Sequence, residues 1–193
     1  MRASSYPSAE RCLPPENVKQ NLDLKIPVAR IVVFDGMKFT RPNNGLIAFG
    51  EAAEATLLSF RQIDSNAKEA GGMLLGRLID NCFDIVIDNA TTPLPSDKRG
   101  RFFFFRARKE AQKLVNDVWS SSSAALIYLG EWHTHPEDEP VPSTEDLDNW
   151  QRISGKAIYE QESLLFAIVG RNKTCLWEMN KMTNTLFELN RIN

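Results

Sequence analysis

The apolar and polar positions of this chain follow two periods, and each period predicts one kind of secondary structure. Short apolar runs bounded by glycine, proline or asparagine predict strands, whereas apolar residues spaced three and four apart predict helices. The predicted strands cover residues 28–34, 46–49, 70–79, 83–89, 125–132, 164–169, 174–179 and 185–189. The predicted helices cover residues 51–62, 106–119 and 144–157. Because strands and helices interleave, the expected fold class is α/β, with a central mixed β-sheet flanked by helices.

Length and composition predict one domain with an N-terminal extension. A chain of 193 residues buries enough apolar surface for a single core without disulfide bonds. Residues 1–25 are polar and contain Pro7, Pro14 and Pro15, so we expect an extension of uncertain order there. A single domain is expected to follow at residues 26–193.

Charge, cysteine content and hydropathy narrow the function classes. A net charge of -2 argues against nucleic acid as the main partner. The 3 cysteines are widely separated and form no C-x-x-C pattern, which suits a reducing compartment and argues against a disulfide framework. No stretch approaches the roughly 20 apolar residues of a membrane span, so we expect a cytoplasmic protein without a membrane partner.

Both histidines of the chain follow the predicted strand 125–132, two residues apart. Side chains at positions i and i+2 of a strand share a face, so His133 and His135 should point the same way. Pro136 cannot continue the hydrogen-bond ladder, which places the pair at the strand end, where a substrate can reach it. Two imidazoles on one face, with no other histidine in the chain, predict two ligands of one metal ion.

The remaining protein ligand should be a carboxylate. Two histidines are too few for a three-imidazole zinc site or for a metallo-β-lactamase-like hydrolase, and the H-x-E and P-C-x-x-C motifs of a zinc deaminase are absent. Asp146 is the candidate, because the loop with Pro140 and Pro142 returns the chain to a helix start. The same Ser143-x-x-Asp146 spacing also fits a capping box, which stabilises a helix without any metal.

Residues next to the histidines have interpretations of their own. Thr134 should face the core, opposite the histidines. Glu131 shares the face of His133 and could support a metal ligand from behind. The acidic residues of 137–139 are expected in a solvated loop.

Residues 98–109 combine basic and aromatic side chains. The basic residues are expected mainly as a solvated loop and helix start. For the four phenylalanines of 102–105, two interpretations stay open. They form either a core strand or part of a sheet edge near residues 99–105, to which another extended peptide can add as a strand.

The sequence H-T-H-P at 133–136, with seven residues between His135 and Ser143-x-x-Asp146, resembles the JAMM motif of the MPN-plus metallopeptidases. Members of that family are zinc isopeptidases that remove ubiquitin or ubiquitin-like proteins. The resemblance implies a cytidine-deaminase-like MPN fold. It also implies one zinc ion (Zn2+) per chain, with His133, His135 and Asp146 as its ligands.

The family's catalytic set includes a glutamate on an earlier strand, directly before a glycine-rich apolar run. Residues 68–76 (K-E-A-G-G-M-L-L-G) match that segment, which gives Glu69. Taken alone, Glu69 would be a surface residue at a strand start. The resemblance implies that Glu69 moves a proton from the attacking water to the leaving amine, and that the Ser143 hydroxyl helps to stabilise the oxyanion.

Two further segments, F-R-Q at 60–62 with E-A-G-G at 69–72, and G-E-W-H-T-H-P at 130–136, are similar to the prokaryotic branch of the family. That resemblance implies a protein substrate with an extended C-terminal tail. The tail would belong to a ubiquitin-like protein or a CD-NTase (cyclic oligonucleotide synthase) conjugated to targets in a bacterial CBASS anti-phage operon. A ubiquitin-activating and conjugating-like protein is the implied operon partner.

Three other functions stay open from the sequence. The first is a deconjugating or processing peptidase of another bacterial ubiquitin-like system. The second is a non-catalytic MPN scaffold, which binds partners through the same fold without metal. The third is a non-haem iron oxygenase, because such enzymes also bind their metal through two histidines and a carboxylate.

Overall fold

The computed structural model describes residues 36–157, 159 and 161–192 of the chain. The predicted extension at 1–25 and the predicted strand at 28–34 lie outside the described residues. Within the described part, the helices are α1 Glu51–Ser59, α2 Arg108–Ser121 and α3 Thr144–Lys156. The strands are β1 Lys38–Thr40, β2 Leu46–Phe49, β3 Gly71–Leu78, β4 Ile85–Ala90, β5 Lys98–Arg99, β6 Phe104–Phe105, β7 Ile127–Thr134, β8 Ser163–Val169, β9 Thr174–Asn180, β10 Leu186–Glu188 and β11 Asn190–Ile192.

Nine of these strands form one mixed sheet, in the order β10-β9-β8-β7-β3-β4-β2-β1-β11. The pairs β2–β4 and β7–β8 are parallel, and the other neighbours are antiparallel. β5 and β6 form a separate two-stranded hairpin. The predicted fold class, an α/β protein with a central mixed sheet and flanking helices, is confirmed.

The sheet is covered on both faces, which explains its nearly continuous apolar strands. Every residue of β8 is buried, and its side chains alternate between two clusters. One cluster contains α1, through Ala53 and Leu57. The other face packs against α2 through Ala111 and against α3 through Trp150. Strands buried on both faces lose the polar alternation of half-exposed strands.

A single residue joins the two ends of the sheet. β10 pairs with β9 at one end, β11 pairs with β1 at the other, and Leu189 alone separates β10 from β11. The Leu189 backbone N–H donates to the Leu176 carbonyl at 2.9 Å. The strand order therefore closes on itself around the cluster of Phe39, Leu176 and Leu189. In the described part of the chain, no helix has the length and apolar content needed to cross a membrane.

Candidate active site

Strand β7 separates its core side chains from the two histidines. Trp132 and Thr134 are completely buried on the core side, and His133 lies between them on the other face. The strand ends at Thr134, as expected from Pro136, and the backbone N–H of His135 donates to the Val169 carbonyl of β8 at 3.0 Å. The Nε2 atoms of His133 and His135 are 3.0 Å apart.

A β-bulge in β7 sets this alternation. Leu74 of β3 pairs with Gly130 and Leu75 pairs with Tyr128, so Leu129 is an extra residue in β7. Gly130 has a φ of 150°, a conformation that side chains other than glycine rarely adopt. The bulge lets both Leu129 and Trp132 reach the same core cluster, although three positions separate them. It therefore leaves the following odd-numbered residues on the histidine face.

Helix α3 brings Asp146 to the histidines. Ser143 is its N-cap, and Ser143 and Asp146 form a capping box. The Asp146 Oδ2 atom accepts from the Ser143 backbone N–H at 2.7 Å and from its hydroxyl at 2.6 Å. Asp146 Oδ1 lies 3.1 Å from His133 Nε2, and Oδ2 lies 3.4 Å from His135 Nε2. The capping box and the ligand geometry thus occur together, since the box orients the carboxylate toward the histidines.

Trp150, which the sequence analysis did not single out, fixes this helix on the sheet. It lies four residues after Asp146, on the same side of α3. Its ring stacks on Phe166 of β8 with the centroids 4.7 Å apart, and it contacts Trp177 of β9 at 5.5 Å. Its centroid is 6.5 Å from that of His133. The sequence did contain a signal for this contact, namely a tryptophan one helical turn after an acidic residue in a predicted helix.

The three side chains fit a divalent metal ion. Ligand atoms on a tetrahedral zinc ion lie about 3.3 Å apart, given zinc–ligand bonds of about 2.0 Å. The two Nε2 atoms are 3.0 Å apart, and each lies close to a different oxygen of Asp146, His133 Nε2 at 3.1 Å from Oδ1 and His135 Nε2 at 3.4 Å from Oδ2. Among the described residues, His133, His135 and Asp146 form a group in which one ligand atom from each side chain lies within 4.8 Å of the others. Such a group could hold one metal ion.

Electrostatics keep Asp146 in the ionised form that binds metal. Burial alone would raise its pKa, but hydrogen bonds from His133, His135 and Ser143 hold the pKa well below its usual range. Burial lowers the pKa of His135, yet its contacts with Asp146 outweigh burial and raise that pKa overall. The contacts with the two imidazoles therefore favour the ionised form of Asp146.

Glu69 lies directly before β3, beside these residues. It is only 6% exposed, and burial raises the pKa of its carboxyl group to about 7. The charges of His135 and Asp146 also shift this pKa, in opposite directions. Its backbone N–H donates to the Gly100 carbonyl at 2.7 Å, and its own carbonyl accepts from Arg99 Nε at 2.6 Å. The structure thus brings Glu69, His133, His135, Ser143 and Asp146 to one end of the sheet.

One acidic neighbour of the histidines, Glu131, has different partners from the one expected. Glu131 does share the face of His133, but its carboxylate pairs with Arg106 and accepts from the Tyr128 hydroxyl at 3.4 Å. Glu137 lies in an exposed loop, as expected, and one of its carboxylate oxygens is 3.7 Å from His135 Nδ1. The contact behind a histidine ligand therefore comes from the loop after the strand.

Residues 98–106 form the hairpin of β5 and β6 next to the site. Phe102, Phe103 and Phe105 are 73%, 43% and 51% exposed, so the interpretation of 102–105 as a core strand is wrong. The arginines, in contrast, bind backbone carbonyls of the protein. Arg99 donates to Glu69, Arg101 donates to Asp64 and Ser65, and Arg106 donates to Gly72.

Fold and site together define an α/β protein with a candidate metal centre of two histidines and one aspartate. The Prok-JAB family, prokaryotic homologues of the JAB domain, matches residues 55–181. The chain belongs to this family. The similarity to JAMM/MPN-plus proteins of the CBASS-type deconjugating branch, inferred from the motifs, is confirmed.

Curated relatives carry one name, CD-NTase/cGAS isopeptidase. The Pseudomonas aeruginosa protein is 37% identical over 130 residues, which is 67% of this chain and 80% of the relative. The Vibrio cholerae protein is 36% identical over 132 residues, covering 68% of this chain and 81% of the relative. The Escherichia coli protein is 36% identical over 135 residues, covering 70% and 81%.

A solved structure supports the fold alone. A solution structure of a Desulfitobacterium hafniense protein superposes with a TM-score of 0.50 and 21% sequence identity. The match covers 74% of this chain and 88% of the other protein.

Proposed function

We propose that this chain is a zinc-dependent isopeptidase that removes the conjugated C-terminus of a CD-NTase from target proteins. The observation that carries the proposal is the buried carboxyl of Glu69 beside two histidines and an aspartate with metal-ligand spacing. The names of the curated relatives support the substrate class. A cytoplasmic location, a CBASS operon and a ubiquitin-activating and conjugating-like partner belong to the same proposal.

In this proposal, His133, His135 and Asp146 bind one zinc ion. When bound, zinc would supply a Lewis acid that polarises the scissile carbonyl and lowers the pKa of water. Glu69 accepts a proton from the attacking water through its carboxylate. The same carboxyl group then donates that proton to the nitrogen of the leaving amine. Without the charge of a metal ion, burial raises the pKa of this carboxyl group to about 7, so burial favours a group that can hold the proton between the two steps.

Ser143 is proposed as a donor to the oxyanion. In the structure its hydroxyl donates to Asp146, so it must rotate to reach a substrate oxygen. The Ser143 backbone N–H, 2.7 Å from Asp146 Oδ2, would continue to hold the carboxylate after that rotation. The exposed position of Ser143 leaves its hydroxyl accessible to a substrate.

The hairpin β5–β6 is the proposed contact for the substrate tail. One of its exposed phenylalanines, Phe105, lines an open groove of about 360 Å³ together with Lys98 and Arg106. Since Arg99, Arg101 and Arg106 bind the protein's own backbone, alanine variants of them would disturb the site itself. Phe105→Ala is the better test, and we expect a higher KM with an unchanged kcat. Met182→Ala, which removes an 88% exposed side chain elsewhere, is the control.

The decisive experiment uses purified full chain with a CD-NTase linked through its C-terminus to a lysine of a reporter protein. We expect cleavage by the wild type, loss of cleavage with a chelator, and recovery with zinc. Glu69→Ala should keep zinc and lose cleavage, whereas Asp146→Ala should lose both. Glu110→Ala, an exposed carboxylate on α2, is the matched control.

The same experiment separates the alternative functions. Cleavage of a ubiquitin-like conjugate but not of the CD-NTase conjugate would identify another deconjugation system. Protein without bound metal and without cleavage would indicate a scaffold. Full activity in Glu69→Ala would contradict the proposed catalytic role. Purified protein with iron instead of zinc would favour the oxygenase.

A further inference from the structure

A buried threonine lies between the two histidines and is bonded to the segment that carries Glu69. Thr134 has no exposed surface. Its backbone N–H donates to the Ala70 carbonyl at 2.9 Å, and its Oγ1 accepts from the Ala70 backbone N–H at 3.0 Å. Ala70 follows Glu69 directly, so two hydrogen bonds connect the Glu69 segment to the histidine strand.

The threonine hydroxyl also donates one hydrogen bond of its own. Because it accepts from Ala70, it donates to Gln62 Oε1, which is 3.0 Å away. Gln62 is 1% exposed, and its amide nitrogen donates to the carbonyls of Ala67 at 3.1 Å and Arg101 at 2.9 Å. Two carbonyl partners fix which end of the amide carries the nitrogen. Every bond in this network therefore has a defined donor.

The network surrounds Glu69 from three segments. Gln62 holds Ala67 on one side of Glu69, and Thr134 holds Ala70 on the other. Gln62 also holds the Arg101 carbonyl, and the adjacent Gly100 carbonyl accepts the Glu69 backbone N–H. All of these bonds are made to the backbone, so they determine where the Glu69 side chain starts relative to His133 and His135.

We propose that Thr134 and Gln62 are positioning residues, which fix Glu69 against the histidine strand and thereby set the turnover rate. This inference rests on the proposed function, in which Glu69 transfers the proton. The bonds made by Thr134 and Gln62 involve neither the metal ligands' side chains nor the exposed hairpin phenylalanines. Their loss should therefore lower kcat while leaving zinc binding and KM unchanged.

The test compares matched variants of two threonines. Thr134→Val keeps the shape but removes the acceptor for the Ala70 N–H, and Thr134→Ser restores it. Thr91→Val is the control, because Thr91 Oγ1 accepts the Met73 backbone N–H at 2.9 Å, a similar bond to β3 farther from Glu69. Gln62→Met is the second variant of the network and keeps the proposal testable if Thr134→Val does not fold.

Three measurements are made on each variant, namely steady-state cleavage kinetics, bound zinc, and exchange of the Ala70 and Glu69 amide hydrogens. We expect kcat to fall on the order of 10- to 100-fold in Thr134→Val, because small displacements of a catalytic group have effects of this size. KM and zinc content should match the wild type, the Ala70 amide should exchange faster, and Thr134→Ser should recover most of kcat. Gln62→Met should lower kcat in the same way, and Thr91→Val should not.

Two results would overturn the proposal. One is a wild-type kcat in both Thr134→Val and Gln62→Met. The other is a loss of activity in proportion to lost zinc, which would assign the effect to the ligands. If the wild type cleaves nothing, the proposed function fails, and the network is then judged on amide exchange. Faster exchange at Ala70 and Glu69, absent in Thr91→Val, would support it, and unchanged exchange would overturn it.

Discussion

A carboxyl group buried beside a metal site needs a surrounding that allows it both to accept and to release a proton. Glu69 has such a surrounding, because burial raises its pKa to about 7 while its backbone is bound on both sides. Asp146, also partly buried, shows the opposite behaviour, since three hydrogen-bond donors keep its pKa low. The two carboxyl groups therefore differ in role, with one suited to proton transfer and the other to metal binding.

The raised pKa of Glu69 predicts how stability changes with pH in the metal-free protein. The folded state binds the Glu69 proton more tightly than the unfolded state, where the pKa is near its usual value of 4.5. Stability from this residue is therefore complete below about pH 4.5 and is lost as pH rises through about 7. The loss should be on the order of 3 kcal/mol.

Urea unfolding of wild type and Glu69→Gln, both with a chelator, checks this expectation. Glutamine keeps the size of the side chain and cannot ionise. The stability of Glu69→Gln relative to wild type should increase between pH 4.5 and 7. Parallel stability curves across that range would contradict the raised pKa.

The contact between Ser143 and Asp146 leads to a prediction about zinc affinity. Ser143→Ala removes the hydroxyl that donates to Asp146 Oδ2 but keeps the backbone donor. We expect zinc affinity to fall about tenfold, as is usual when a contact that orients a ligand is removed. Stability should fall by about 1 kcal/mol through loss of the N-cap. Ser143→Thr should retain both properties. Zinc competition against a chelating dye measures the first effect, and wild-type affinity in Ser143→Ala would contradict it.

At the scale of the elements, the sequence predicted the long strands and helices because their apolar periods are strong. Strand β8 and helix α3 were predicted within a residue or two of their ends. Helix α1 was expected to reach Gln62 but ends at Ser59, and the Gln62 side chain instead joins the buried network with Thr134. The hairpin of β5 and β6 was not predicted, since a run of four phenylalanines is also typical of a core strand.

The bulge at Gly130 was also invisible in the sequence, and it supplies a prediction. A side chain at Gly130 would need a φ of 150°, and its Cβ would lie 1.8 Å from the Leu165 carbonyl oxygen. Gly130→Ala should therefore destabilise the protein by about 2–3 kcal/mol and weaken zinc binding, because β7 must shift.

Gly155→Ala is the matched control for this variant. Gly155 lies in α3, and a Cβ there meets no atom within 4 Å. Alanine at this position should stabilise the helix by about 0.5–1 kcal/mol. Urea unfolding measures both variants. A Gly130→Ala protein as stable as Gly155→Ala would contradict the role of the bulge.

At the scale of the whole molecule, the candidate site was more predictable than the contacts that assemble it. The ligand candidates form short motifs, H-x-H-P and S-x-x-D, and the family resemblance added Glu69. The supporting contacts join distant positions, since the residue numbers differ by 72 for Thr134 and Gln62 and by 30 for Arg99 and Glu69. Such pairs leave no local pattern in the sequence. Threonine, glutamine, arginine and glutamate are all common on protein surfaces, so their presence does not indicate a buried contact. The closure of the sheet through Leu189 was unpredictable for the same reason.

A buried ion pair across this closure gives the last prediction. Arg41, in the turn after β1, donates through Nε at 3.1 Å to Glu178 of β9, and both side chains are 8% exposed. Glu178 also accepts from the Ser163 hydroxyl at 2.5 Å. Removing one partner leaves an uncompensated buried charge, so Glu178→Gln should destabilise the protein by about 3 kcal/mol or more.

Asp88→Asn breaks the more exposed pair with Arg77, in which the side chains are 49% and 24% exposed, and should cost at most about 1 kcal/mol. The double variant Arg41→Met with Glu178→Leu should recover much of the loss, because no unpaired charge remains. Urea unfolding of the three variants and the wild type provides the comparison. Equal losses for Glu178→Gln and Asp88→Asn would show that the pair does not hold the two ends of the sheet together.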